Sequence, residues 1–224
     1  MTAFRQSLIF RPKLAGGRLD HRLVAALGAF AGIAATAWVL LHLPLDRSFA
    51  ALIAPMGASA VLVFAVPTSP LAQPWSVLGG NVVSGAIGIA MALIVPEPWL
   101  AAGLAVGVAI ATMTLLRCLH PPGGAVALGA VTGGPAIAAM GLAYPLVLVA
   151  VNATLLIAAG WAFHRLSGHS WPHRPGAGAL PTPRPLHRAD IDAALADLGE
   201  TFDIAPEDLD LLLQRAEHHA RTRR

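Results

Sequence analysis

The residue types best suited to chemistry lie in one stretch, RCLHPPGGAVALGA, from Arg117 to Ala130. It sets an arginine, a histidine, two prolines and two glycines into an otherwise apolar run. Pro121 and Pro122 stop the preceding helix and suit the first turn of a new one. Gly123 and Gly124 let another group approach the backbone closely. A helix starting here has unpaired N–H groups and a partial positive charge, a combination that binds anions. Arg117 or a protonated His120 could add a full charge, and His120 could also carry a proton alongside an anion. The bland alternative for both is an interfacial pair that snorkels to water. A second interrupted stretch, APMGASA from Ala54 to Ala60, offers Pro55, Gly57, Ala58 and Ser59. Helix starts at Gly57 and Gly124 would each present amide donors. Asn81 and Asn152 have two open roles, contact with a substrate or interhelical hydrogen bonding.

The elements that must hold these residues are membrane helices. The 224 residues are 56% hydrophobic and 12% charged, with mean hydropathy +0.65. That places the chain outside the soluble range and among multi-pass membrane proteins. Between Leu23 and His164 only Asp46, Arg47, Glu97 and Arg117 are formally charged. The sequence pI near 10.0 does not indicate nucleic acid, because the net charge is only +3 and the bases flank hydrophobic spans. The one cysteine, Cys118, excludes an internal disulfide and a Cys-based zinc site. No cofactor or metal set is expected. His164, His169 and His173 fall in a Pro/Gly-rich region and are expected to be solvated. The block carries no paired carboxylates and no Ser/His/Asp set, so no enzyme is expected.

Residues 1–22 form a basic segment expected on the cytoplasmic side. A transmembrane domain follows over 23–166, then a flexible linker over 167–188 and an amphipathic tail over 189–224. Spans are expected at Leu23–Leu43, Val77–Val95, Trp99–Leu116 and Gly141–Phe163. The segment Ser48–Val66 is expected to be broken at Pro55 and Gly57. The prolines of the loop from Pro67 to Ser76 are expected to forbid a helix. In the tail, Ile191, Leu195 and Leu198 share helical spacing, and a second helix from Pro206 would carry Leu209, Leu212, Leu213 and Ala216 on one face. These two helices would pack on a partner, on the membrane face or on each other.

The chain reads as two halves. LIAPMGASA (52–60) aligns with LHPPGGAVA (119–127), setting Pro55 on Pro122, Gly57 on Gly124 and Ala58 on Ala125. Farther on, Asn81 matches Asn152. Each half is a span, a broken segment and an Asn-bearing span, so an odd number of passes would invert the second half, a transporter plan. The expected fold class is all-α, a multi-pass bundle with two broken or re-entrant segments. Six full crossings are favoured. If both broken segments are re-entrant, four remain and Glu97 and Arg117 change sides.

HPPGGA within RCLHPPGGAVAL, APMGASA and SPLAQPWSVLGGNVVSG together resemble the HPP family of small integral membrane proteins, over roughly Leu43 to Leu166. Some members are implicated in nitrite transport, and the resemblance implies a transporter or channel for a small inorganic anion here, nitrite first. Longer relatives carry cytoplasmic nucleotide-sensing CBS domains; this sequence ends before any, so nucleotide regulation is not expected. The expected partners are a small inorganic anion, the lipid bilayer and further copies of the chain. A cytoplasmic protein could also bind the tail. The expected location is a bacterial inner membrane with both termini cytoplasmic. Two alternatives compete: a non-transporting sensor or assembly subunit working through its tail, and a channel for a small neutral solute.

Overall fold

The computed structural model describes residues 19–44, 52–168, 170–173, 188–198, 204 and 206–222. The described residues are helical, with no strand among them. The chain divides into a unit of residues 22–174 and a unit of residues 1–21 with 175–224.

In the larger unit the helices are α1 (Leu19–His42), α2 (Pro55–Ala65), α3 (Pro74–Ile94), α4 (Pro98–Leu115), α5 (Pro121–Thr132), α6 (Gly134–Met140) and α7 (Ala150–Ser167). A π-helical turn, Tyr144–Val149, leads directly into α7. Proline stands at the first or second position of α2, α3, α4, α5 and α6, where its missing N–H costs nothing. The loop expected to be helix-free therefore contains a 3-10 turn, Pro70–Ala72, and the start of α3 at Pro74.

Among the described residues, four helices are long and apolar enough to cross a membrane: Arg22–His42, Pro74–Ile94, Pro98–Leu115 and Tyr144–Ser167. α2 has 11 residues, about 16 Å at the α-helical rise, against a hydrocarbon core of roughly 30 Å. α5 and α6 bend by 107° at Gly133. By length, four described helices, or five if the bent pair is taken as one, are full spans, and α2 and α5 are the short members of the six segments that the favoured count includes. α2 and α5 are half-length helices. Large apolar side chains stay exposed on the outside of the bundle, Phe30, Trp38, Leu93, Trp99, Leu115 and Leu146 among them, as a lipid-facing surface requires.

The halves are inverted in space. α5 runs parallel to α3: Gly80 lies against His120, and Gly88 against Ala127 and Ala130. α2 runs parallel to α7: the Ile53 N–H bonds Asn152, and farther along Gly160 lies against Val63. α7 runs antiparallel to α3, with Pro145 against Gly85 and Leu156 in one cluster with Val77. α2 and α5 therefore point in opposite directions and pass each other near their first turns. Small residues make this close packing possible. A Cβ on Gly88 would stand 2.5 Å from the Ala127 carbonyl oxygen.

α7 is closed by a short strap. Trp171 is buried among Val63, Leu156 and Phe64 and donates to the Ala72 carbonyl at 3.3 Å. His164 is buried, its Nε2 2.8 Å from the Val63 carbonyl oxygen. It is therefore a packing residue of the helical block, which corrects the solvated reading, and His173 is half-buried. His169 lies outside the described residues.

The smaller unit contains α8 (Arg188–Leu198) and α9 (Pro206–Thr222). They pack on each other through Ile191, Leu195, Ile204, Leu209 and Leu213. Leu198 and Leu212 are exposed, as is Ala216. These three were expected on the inner face. The contact stripe follows i, i+4 spacing, and it is completed by Ile204 rather than by Leu212.

Candidate functional site

Where α2 and α5 pass each other, three buried polar side chains meet. Ser59 sits on the second turn of α2, Asn81 on α3, and His120 directly precedes α5. All three are 0% exposed. The Ser59 Oγ lies 2.8 Å from His120 Nε2. His120 Nδ1 lies 2.8 Å from the Leu71 carbonyl oxygen. A carbonyl can only accept, so Nδ1 carries the proton. In the neutral ring Nε2 then accepts from the Ser59 hydroxyl. Asn81 Nδ2 donates to the Val77 carbonyl at 2.8 Å and more weakly to Ser59 Oγ at 3.5 Å. Its Oδ1 is buried without a hydrogen-bond partner.

The backbone around the cluster explains how these groups come together. The Leu71 carbonyl is presented by a loop stapled from within. Gln73 Nε2 donates to the Pro67 and Ser69 carbonyls at 2.9 and 2.8 Å, and Ser76 Oγ donates to the Pro70 carbonyl at 2.8 Å. The His173 N–H donates to Gln73 Oε1 at 2.9 Å. On α3, Gly80 leaves room for the histidine: a Cβ there would lie 2.6 Å from His120 Cβ. A Cβ on Gly123 would lie 2.7 Å from Ser84 Oγ and 2.9 Å from the Gly80 carbonyl oxygen.

The pseudo-equivalent position in the other half is apolar. Asn152 Nδ2 donates to the Leu148 carbonyl at 2.9 Å, as Asn81 does to Val77. Its Oδ1 accepts the Ile53 N–H at 3.2 Å. Ile53 occupies the place of His120 in the repeat, and it packs against the cluster holding Val126, the counterpart of Ser59. Of the two symmetry-related pairings between the halves, one is thus Ser59 with His120 and the other Val126 with Ile53.

The residues expected from the sequence divide accordingly. Ser59, Asn81 and His120 meet. Pro122 and Gly123 are buried behind them, and Pro121 is exposed at the start of α5. Asn152 holds the lead-in to α2. Gly57 and Ala58 are exposed and Gly124 is half-buried. A Cβ on Gly57 would meet nothing within 4 Å, and one on Gly124 only Val106, at 3.9 Å. Arg117 is exposed in the α4–α5 connection at φ 53°, so it serves the turn and stays outside the cluster. Pro55 starts α2.

The expectation of free amide ends is also corrected. Pro55, Pro121 and Pro122 have no N–H. The N–H groups of Met56 and Gly57 donate to Ile53 and Ala54 at 3.0 Å each, and that of Gly123 to His120 at 2.8 Å. Early i→i−3 bonding of this kind uses up the donors that an anion would need. The polar atoms at the helix crossing are therefore side chains. The sequence reading missed the Leu71 carbonyl and the positioning role of Gly80. The signal for the loop was its uncharged, Gln- and Ser-bearing composition beside an apolar span.

An all-helical bundle with two inverted half-length helices meeting at a buried polar cluster defines an integral membrane protein of transporter-like build. The chain matches the family model "HPP, transmembrane region" over residues 15–172, and it belongs to the HPP transmembrane family. Two curated transmembrane proteins of Dictyostelium discoideum are similar to it. One is 40% identical over 111 residues, covering 48% of this chain and 39% of the relative. The other is 37% identical over 106 residues, covering 46% and 34%. The match thus spans well under half the length of either relative. No solved structure matches.

Proposed function

We propose that this protein carries a small inorganic anion across the membrane, with nitrite as the first candidate because of the family resemblance, and that Ser59, Asn81 and His120 form the point of passage. The observation that carries this reading is the polar cluster itself. It is buried where two broken helices pass, with Ser59 and Asn81 from one half and His120 from the other, and the symmetry-related crossing of Ile53 and Val126 is apolar. Buried polar groups inside a membrane domain are costly and are kept where solutes pass. In this reading the protein sits in a bacterial inner membrane with both termini cytoplasmic and associates with itself.

Ser59 and His120 also have the atoms of a nucleophile and its base. Two facts weigh against hydrolysis. Both side chains are fully buried, and the amides of Gly57 and Gly123 are spent on their own chain, so those two are not donors for an oxyanion.

The test is flux in liposomes containing the purified full chain. Saturable nitrite uptake above empty liposomes, lost in His120→Ala, is the expected result. Uptake of a neutral solute, indifferent to competing anions, would favour the neutral-solute channel, a reading that the absence of a fixed charge in the cluster supports. No flux of either kind, with a protein co-purifying through α8 and α9, would favour an assembly subunit. The exposure of Leu211 and Leu212, at 53% and 58%, speaks for that one.

A further inference from the structure

Resting on the transport reading, we infer that the anion passes together with one proton, and that His120 Nε2 is the atom that takes it. The inference starts from a missing charge. α2, α3, α4, α5 and the loop 66–73 contain no Asp, Glu, Lys, Arg or His. Cys118, buried with its side chain near Gly79, is the other titratable group packed around His120, and it can supply no positive charge. Arg117 is exposed. A bare anion in this cluster would be an uncompensated charge in a low-dielectric site, which proteins avoid by pairing or neutralising it. A proton on His120 provides the counter-charge.

The hydrogen bonds are arranged for that proton. Nδ1–H is fixed on the Leu71 carbonyl, so a second proton can only enter at the Nε2 lone pair. That lone pair now accepts from Ser59. When Nε2 gains a proton, the imidazolium donates to Ser59 Oγ, and the Ser59 hydroxyl must turn away to a new acceptor. Asn81 Oδ1 is the buried acceptor with an open valence on the residue next to Ser59. The alternative target for that hydroxyl is the anion itself. One proton enters from one side with the anion and leaves to the other side with it, so no net charge moves. The apolar counterpart, Ile53 beside the Val126 cluster, cannot do this, which confines the proton to one of the two symmetry-related pairings.

The experiment uses the full chain in liposomes, with nitrite as the probe and the protein-free leak subtracted. An outward-acid pH gradient should drive accumulation about tenfold per pH unit, the ratio for one proton per anion. Nitrite entry should alkalinise a lightly buffered exterior one for one. A potassium diffusion potential should leave the initial rate unchanged. His120→Gln keeps a neutral donor and acceptor but cannot be protonated, and it should lose the pH-driven component. Ser59→Ala, which keeps the histidine, should weaken it. The wild-type measurements stand even if a variant fails to fold. Nitrite flux that follows the imposed potential and moves no protons would overturn this inference and leave the transport reading intact. Absence of any anion-dependent flux would overturn both.

Discussion

Gly80→Ala overpacks the polar cluster directly. The added methyl would stand 2.6 Å from His120 Cβ and 2.7 Å from the Cys118 carbonyl oxygen. Carbon pairs reach their optimum at about 3.5 Å or more, so the methyl is roughly 1 Å too close. Neither obstacle is the free end of a flexible side chain, so α3 or the histidine loop must move. Overpacking of this kind costs about 1–3 kcal/mol. A shift of that size also stretches the 2.8 Å bonds of His120 to Leu71 and Ser59, and each lost bond adds about 1 kcal/mol. The sum, about 2–4 kcal/mol, corresponds to a fall in Tm on the order of 10 °C for a chain of this size. Thermal unfolding in detergent, followed by tryptophan fluorescence, measures it, with nitrite flux as the second reading. Gly57→Ala is the counterpart, since its Cβ meets nothing within 4 Å. It should hold or raise Tm, by up to about 1 kcal/mol of helix propensity. Equal Tm values for the wild type and Gly80→Ala would refute the packing argument.

Three other outcomes are expected. His120→Ala leaves the Leu71 carbonyl and the Ser59 hydroxyl unsatisfied and should cost about 2–4 kcal/mol; thermal unfolding measures the loss, and a change below about 0.5 kcal/mol would contradict the hydrogen-bond assignment. Asn152→Ala removes the acceptor of the Ile53 N–H and should cost about 1–2 kcal/mol while the pH dependence of flux stays as in wild type, because this residue lies on the apolar side of the repeat. Arg117→Gly should raise stability by about 1 kcal/mol, since φ 53° penalises any residue with a Cβ, and should change flux less than twofold; a tenfold loss would place the guanidinium in the pathway after all.

Much of the architecture was legible because lipid imposes a strong compositional rule. Long uncharged runs read as spans, and proline with glycine inside such runs reads as a break. The repeat of Pro55–Gly57–Ala58 in Pro122–Gly124–Ala125 was visible, and so was the inversion it implied. The half-length of α2 and the bend after α5 were harder to see, because hydropathy measures how apolar a segment is and not where its helix begins. Ser48–Val66 is apolar enough to span, yet the helix starts at Pro55.

The site was legible as a set of candidates and not as a geometry. Gly57 and Gly124 look equivalent to Gly80 and Gly123 by type, yet two face open space and two hold α3, α5 and His120 together. The amide ends looked free from the sequence and are bonded in the structure.

The sequence by itself determined that this is a multi-pass helical membrane protein of two similar halves, with a lone histidine at one break. Only the tertiary structure decided that this histidine meets Ser59 of the opposite half and a carbonyl from a third segment. Membrane composition follows from each segment's own solvent. Which polar atoms touch depends on the rotation and register of helices against one another, and a backbone acceptor such as that of Leu71 has no signature, because every residue carries one.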